Sequence, residues 1–179
     1  MSEKNTLMKH AAALIARRAH SRGELRRKLA AHKAEETQEI EKTDDIEGME
    51  AVLDRLECLN LLNDAEFAYN FAFYRIKESG WGEEKVRKAL LDRDVAKMVA
   101  DRALERVLEE IAPDGGVNDP LMEYISGYCR KHGTLSTLKD AQKLARHLAG
   151  RGFDEDGVIG ALRQITTQEI FRHFEGTGD

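Results

Sequence analysis

The chain resembles itself at a shift of fifty-eight residues. Val86, Leu90, Val95, Leu104 and Val107 fall on Leu144, Leu148, Phe153, Leu162 and Ile165, and the pair Asp94-Val95 falls on Gly152-Phe153. A shift of sixty-one places Leu25, Arg26 and Leu29 on Val86, Arg87 and Leu90. Apolar residues one helical turn apart, repeated after a short break, are the pattern of helices that bury one stripe. One unit reads as a helix, a short turn, a second helix, a turn and a third helix. A helical hairpin cannot bury its stripe alone, so such units stack or close on themselves. The expected architecture is all-α: three tandem three-helix repeats in an elongated or curved protein.

Local signals agree with helices throughout. Prolines occur only at Pro113 and Pro120, so the first 112 residues contain no helix-breaking ring. β-branched residues are sparse and form no alternating runs, so no strand is expected. Ser21 precedes the Leu25–Leu29 stripe, and Asn63 with Glu66 three residues on makes a capping-box-like start. Gly80 closes that helix, Asp119-Pro120 pairs a cap with a first-turn proline, and Gly133 and Gly150 read as helix stops. Nine helices are predicted, at about 6–19, 22–33, 48–60, 64–79, 83–93, 95–111, 120–132, 137–149 and 154–165, with a short tenth near 168–174. The domain scheme is repeat 1 over 1–62, repeat 2 over 63–112, a linker at 113–119, repeat 3 over 120–175 and a disordered tail at 176–179. Repeat 1 departs from the others in an acidic insert at about 33–48, which reads as a solvated loop.

Several function classes lack their signals. The apolar runs are too short to span a membrane, and Met1–Asn5 leads into a charged amphipathic stretch with no signal-peptide core. Cys58 and Cys129 have no CxxC spacing and read as reduced, packed thiols of a cytoplasmic protein. No phosphate-cradling glycine motif and no HExxH occurs. Cys129 and His132 are two possible metal ligands where a closed zinc site needs about four. Acid pairs such as Glu83-Glu84 are consecutive and diverge on a helix. A non-enzymatic binding protein, monomeric and without cofactor, is therefore expected.

The net charge of -5 conceals a strong asymmetry. Residues 1–33 carry nine Lys/Arg against two acids, and residues 34–66 carry two against twelve. Arg17, Arg18, Arg22, Arg26, Arg27 and Lys28 lie on two consecutive predicted helices beside the buried Leu25–Leu29 stripe. Guanidinium forks grip carboxylates and phosphates bidentately, so this face suits an acidic protein groove or a nucleic-acid backbone. These six are the partner-binding candidates; the competing reading is an ordinary solvated face balanced by the acidic insert. As exposed charges they should be replaceable with little loss of stability. Phe67, Phe71 and Tyr74 are spaced as a core stripe, and Trp81 in its Gly-Trp-Gly turn is expected to pin the next helix.

Four blocks in order resemble the RecX family: Ala16–Leu29; Val52–Leu56 with Leu61–Ala68; Gly80–Gly82 with Val86–Leu90; and Leu144–Phe153. The resemblance implies a fold of three-helix repeats. It also implies a regulator that binds RecA and the RecA–ssDNA filament and restrains recombinase, ATPase and co-protease activity. The alternative is a helical DNA-binding protein acting through the basic N-terminal helix pair.

Overall fold

The computed structural model describes residues 3–36, 44–111 and 119–175. Ten helices are formed and no strand occurs among the described residues: α1 (Glu3–Ile15), α2 (Arg22–Glu36), α3 (Asp44–Cys58), α4 (Asp64–Lys77), α5 (Glu83–Leu91), α6 (Lys97–Ile111), α7 (Pro120–His132), α8 (Leu138–Arg151), α9 (Glu155–Ile165) and α10 (Gln168–Glu175). The helix order is the one expected, and the all-α class holds. Helix α2 runs three residues past its predicted end and α3 begins four before its predicted start, so both flanks of the acidic insert are helical. Its centre at 37–43, most of the 113–119 linker and the 176–179 tail lie outside the described residues.

Two compact units are formed, one from residues 1–70 with 90–101 and the other from 71–89 with 102–179. In the first, α1, α2 and α3 pack on one another around Leu7, Ala11, Leu25, Leu29, Val52, Leu53 and Leu56. Leu25, Leu29 and Leu53 are wholly buried, and truncating such a leucine to alanine costs about 2–5 kcal/mol. In the second, α7 to α10 enclose Leu121, Ile125, Leu144, Leu148, Leu162 and Phe171. Its helix starts are capped as the residue types require: Asp119 accepts from Leu121 N at 2.8 Å, and Asp154 from Gly157 N at 2.8 Å.

The repeat seen in the sequence reappears as a joint built twice, once inside each unit. In the first, the Ser21 hydroxyl donates to the Arg93 carbonyl. In the second, Gly82 N donates to the Arg151 carbonyl at 2.9 Å. Ser21 and Gly82 are related by the sixty-one-residue shift, Arg93 and Arg151 by the fifty-eight-residue shift. The residue after each carbonyl is left-handed, Asp94 at φ 57° and Gly152 at φ 84°. The joint needs close approach. A Cβ on Gly23 would lie 2.2 Å from Asp94 Cβ, and one on Gly82 2.2 Å from the Gly152 carbonyl carbon.

Three side-chain expectations are corrected. Helix α4 buries Ala68, Ala72 and Ile76, while Tyr74 is 58% exposed and Phe67 and Phe71 are half-buried. Small residues at i and i+4 let the backbone itself come close, so the ring stripe is not the core stripe. Gly150 lies within α8, and the stop is Gly152, whose left-handed φ a glycine adopts without strain. Cys58 is exposed rather than packed, and only Cys129 touches the core. Trp81 does meet the next helix: its ring lies between the Arg75 guanidinium at 4.6 Å and Lys85 Nζ of α5 at 4.8 Å.

Candidate functional site

The basic candidates all fall within the first unit, but not as one free face. Helix α1 ends at Ile15, so Arg17 and Arg18 sit in the turn that follows it rather than on a helix. Ser21 caps α2, its hydroxyl accepting from Glu24 N at 3.1 Å. That start sets the register of Arg22, Arg26, Arg27 and Lys28 along α2, with Leu25 and Leu29 turned into the core.

Arg22 is the hub. Its Nη2 lies 2.6 Å from Glu50 Oε2 and 2.8 Å from Asp54 Oδ1, and its Nη1 lies 2.7 Å from Glu57 Oε2. Glu50, Asp54 and Glu57 stand at i, i+4 and i+7 of α3, so one helical face presents all three carboxylates. Arg26 Nε adds a bond to Glu50 Oε1 at 2.9 Å. Burial opposes the Arg22 charge, yet the three carboxylates outweigh it and hold the guanidinium protonated well beyond its ordinary range. The Arg22 backbone N–H donates to Asp64 Oδ1 at 2.7 Å, and burial pushes the Asp64 carboxyl above its usual value.

The remaining candidates form smaller groups. Arg18 grips both Glu24 oxygens in a fork, and Lys28 Nζ lies 3.6 Å from Glu24 Oε1. Burial raises the Glu24 pKa, but the Arg18 bonds and the neighbouring cations overcome it and hold the carboxyl below its ordinary range. His20 is buried beside them, its Nδ1 2.8 Å from the Arg18 carbonyl and its Nε2 2.9 Å from Lys28 Nζ. Burial, reinforced by Arg18 and Lys28, holds the imidazole below its usual pKa. Arg27 reaches the α5–α6 turn, with Asp94 Oδ2 and the Asp92 carbonyl each at 3.1 Å. Arg17 is exposed and has no ion pair among the described residues.

The two opposite charge blocks of the sequence are thus brought together. The basic face of α2 is matched by α3, outside the centre of the insert. Arg22 is a structural clamp with only 27% of its side chain exposed, while Arg17, Arg26 and Arg27 remain the outward cations. A second group, in the other unit, has no counterpart among the sequence-based candidates. Tyr124, Tyr128 and His132 lie at i, i+4 and i+8 on α7, and the Tyr124 hydroxyl is 2.7 Å from His147 Nε2 of α8. The spacing was visible in the sequence, but its partner helix was not.

No protein-family model matches the chain. Over 152 residues it is 30% identical to the regulatory protein RecX of Prosthecochloris aestuarii, covering 84% of this chain and 87% of that one. The regulatory protein RecX of a Thermus thermophilus strain is 32% identical over 154 residues, 86% and 88% of the two chains. The chain belongs to the RecX family. Its Pseudomonas putida relative in that family is 36% identical over 149 residues, 83% of each chain. Among solved structures, RecX from Lactobacillus salivarius superposes with a TM-score of 0.67 over 90% of this chain and 96% of its own, at 15% identity. A second RecX crystal structure gives a TM-score of 0.58. At that identity the structures speak for the RecX fold alone.

Proposed function

We propose that this RecX-family chain is a non-enzymatic regulator that binds the RecA–ssDNA filament and restrains its ATPase, strand-exchange and co-protease activities in the cytoplasm. The observation that carries it is the relationship to proteins named as regulatory over more than four fifths of the chain. No described helix is long and apolar enough to cross a membrane. The same reading takes the chain as three helical repeats, 1–62, 63–112 and 120–175, supported by the joint that recurs at the two sequence shifts.

A filament partner needs ordered charges on a stiff surface. Helix α2 supplies one, because its Leu25–Leu29 stripe is fixed and Arg26 and Arg27 stand outside that stripe with more than half of each side chain exposed. The alternative, DNA binding through the same helices, is weakened by the α3 carboxylates beside Arg22 and Arg26, which repel phosphate. The test is co-sedimentation with RecA–ssDNA filaments formed on a non-hydrolysable ATP analogue, followed by RecA ATPase assays. Retention on filaments and falling ATPase are expected; no effect on either, up to one chain per RecA, would overturn the reading.

A further inference from the structure

We propose that the cavity framed by α7, α8 and the end of α4 binds a nucleotide unit, a planar base carrying a phosphate. The cavity lies wholly within the second unit and measures about 610 Å³, ample for one nucleotide. One wall is a run of rings. Tyr128 lies 4.4 Å from His132 and 5.3 Å from His147, and Tyr124 stacks on His147 at 5.8 Å with planes 19° apart. Every base has a π-face, so such rings take bases without regard to sequence.

The rest of the lining is mixed, with apolar Ile76, Ile111 and Pro120 among it, but its charge is positive on balance: Lys77, Arg130, Lys131 and Arg151 against two carboxylates, Glu78 and Glu123. Arg151 is fixed, with its Nη1 donating to the Ser79 carbonyl at 2.8 Å and its guanidinium 5.1 Å from the Tyr124 ring. Arg130 and Lys131 are exposed at the rim. Burial, with Arg151 and His132 beside it, lowers the His147 pKa from its ordinary value, which disfavours a further positive charge among these cations. Rings call for a flat group and the cations for an anion; a nucleotide supplies both.

Gly127 is a third, independent sign. It stands mid-way along α7 and lines the cavity. Glycine weakens a helix interior relative to alanine. No packing requires it there, because an added Cβ would meet nothing closer than Arg130 Nη2 at 3.7 Å. A side chain placed there would enter open space beside the cavity lining.

The test uses the full chain, a fluorescent octathymidylate followed by anisotropy, and thymidine monophosphate and inorganic phosphate followed by the His132 and His147 ring resonances in NMR. The wild type is expected to bind, with both histidine rings shifting. Gly127→Leu, which fills the cavity, should weaken binding at least tenfold while the thermal transition stays or rises. The pair Lys131→Glu with His132→Ala, both exposed, should do the same and carries the test if the leucine variant fails to fold. Competition by the monophosphate as strong as by the strand assigns the site to free nucleotides; binding of the strand alone assigns it to single-stranded nucleic acid. Phosphate competing as well as the monophosphate, no ring shift at millimolar ligand, or unchanged binding in both variants would overturn the proposal. The site stands apart from the regulator reading: filament binding can fail while this cavity still takes a nucleotide, and the reverse.

Discussion

Arg22 of α2 holds Glu50 of α3 at 2.6 Å, and the same guanidinium takes in Asp54 and Glu57. The relationship ties the most basic helix to the most acidic face and makes Arg22 a folding residue. Exposed pairs contribute about 0.2–1 kcal/mol each. Arg22→Glu removes three and sets a fourth carboxylate among them, so we expect a loss of about 2 kcal/mol and a melting temperature lower by about 4–8 °C. Adding Glu50→Arg should recover part of it. Thermal melts of the two variants decide the matter, and an unchanged melting temperature for the single variant would show that the clamp contributes nothing.

Partner binding is better probed where the fold depends less on the charge than at Arg22, since Arg26 keeps a single ion pair among the described residues, to Glu50. Arg17 has no ion pair among the described residues, and 55% of the Arg26 side chain is exposed. Arg17→Glu with Arg26→Glu is expected to weaken binding to RecA–ssDNA filaments at least tenfold, about 1.4 kcal/mol, with a smaller thermal change than Arg22→Glu. Wild-type affinity should fall as salt rises, since long-range attraction is screened. Equal affinity in a folded double variant would leave this face as solvated surface.

Local chemistry was legible in the sequence, and spatial pairing was not. The Leu25–Leu29 stripe, the Asn63 and Asp119 starts and the Gly133 stop depend on residues within a turn or two, and each stands where the sequence placed it. The α4 stripe misled because ring size suggested a core, whereas Ala68 and Ala72 are the residues buried. The basic residues were visible as a group. That Arg22 faces three carboxylates depends on how α2 and α3 pack, which residue spacing along either helix cannot state. Tyr124 and His147 meet for the same kind of reason, although twenty-three positions apart in the chain.

The twice-built joint depends on absent side chains. A Cβ at Gly23 or Gly82 would lie 2.2 Å from Asp94 Cβ or the Gly152 carbonyl carbon, too close without movement of a turn. Gly23→Ala and Gly82→Ala should each destabilise by about 1–3 kcal/mol. Gly160→Ala in α9, where an added Cβ meets nothing within 4 Å, should instead stabilise by about 0.5–1 kcal/mol. Urea unfolding of the three variants checks the contrast. If all three shift stability in the same direction, close approach at the joints is not what the first two glycines serve.

His20 makes stability depend on pH in a stated direction. Lys28 Nζ, 2.9 Å from Nε2, can only donate, so Nε2 carries no proton; Nδ1 then donates to the Arg18 carbonyl, which can only accept. A second proton would set an N–H against the Lys28 ammonium inside a buried pocket; burial with the Arg18 and Lys28 charges outweighs the Arg18 carbonyl bond and Glu24, which favour the charged ring. The folded pKa therefore lies below the ordinary value of 6.5 that the unfolded chain retains. Below 6.5 the unfolded chain takes up a proton that the folded chain refuses, and stability falls with pH until the folded pKa is reached. Above 6.5 the contribution is complete. His147 is shifted in the same direction, so the test is a difference: urea unfolding between pH 7.5 and 5.5 should show a steeper decline for wild type than for His20→Gln, which keeps hydrogen-bonding capacity without the titration. Parallel declines in the two proteins would mean that the imidazole titrates alike folded and unfolded, and that the Lys28 contact does not restrain it.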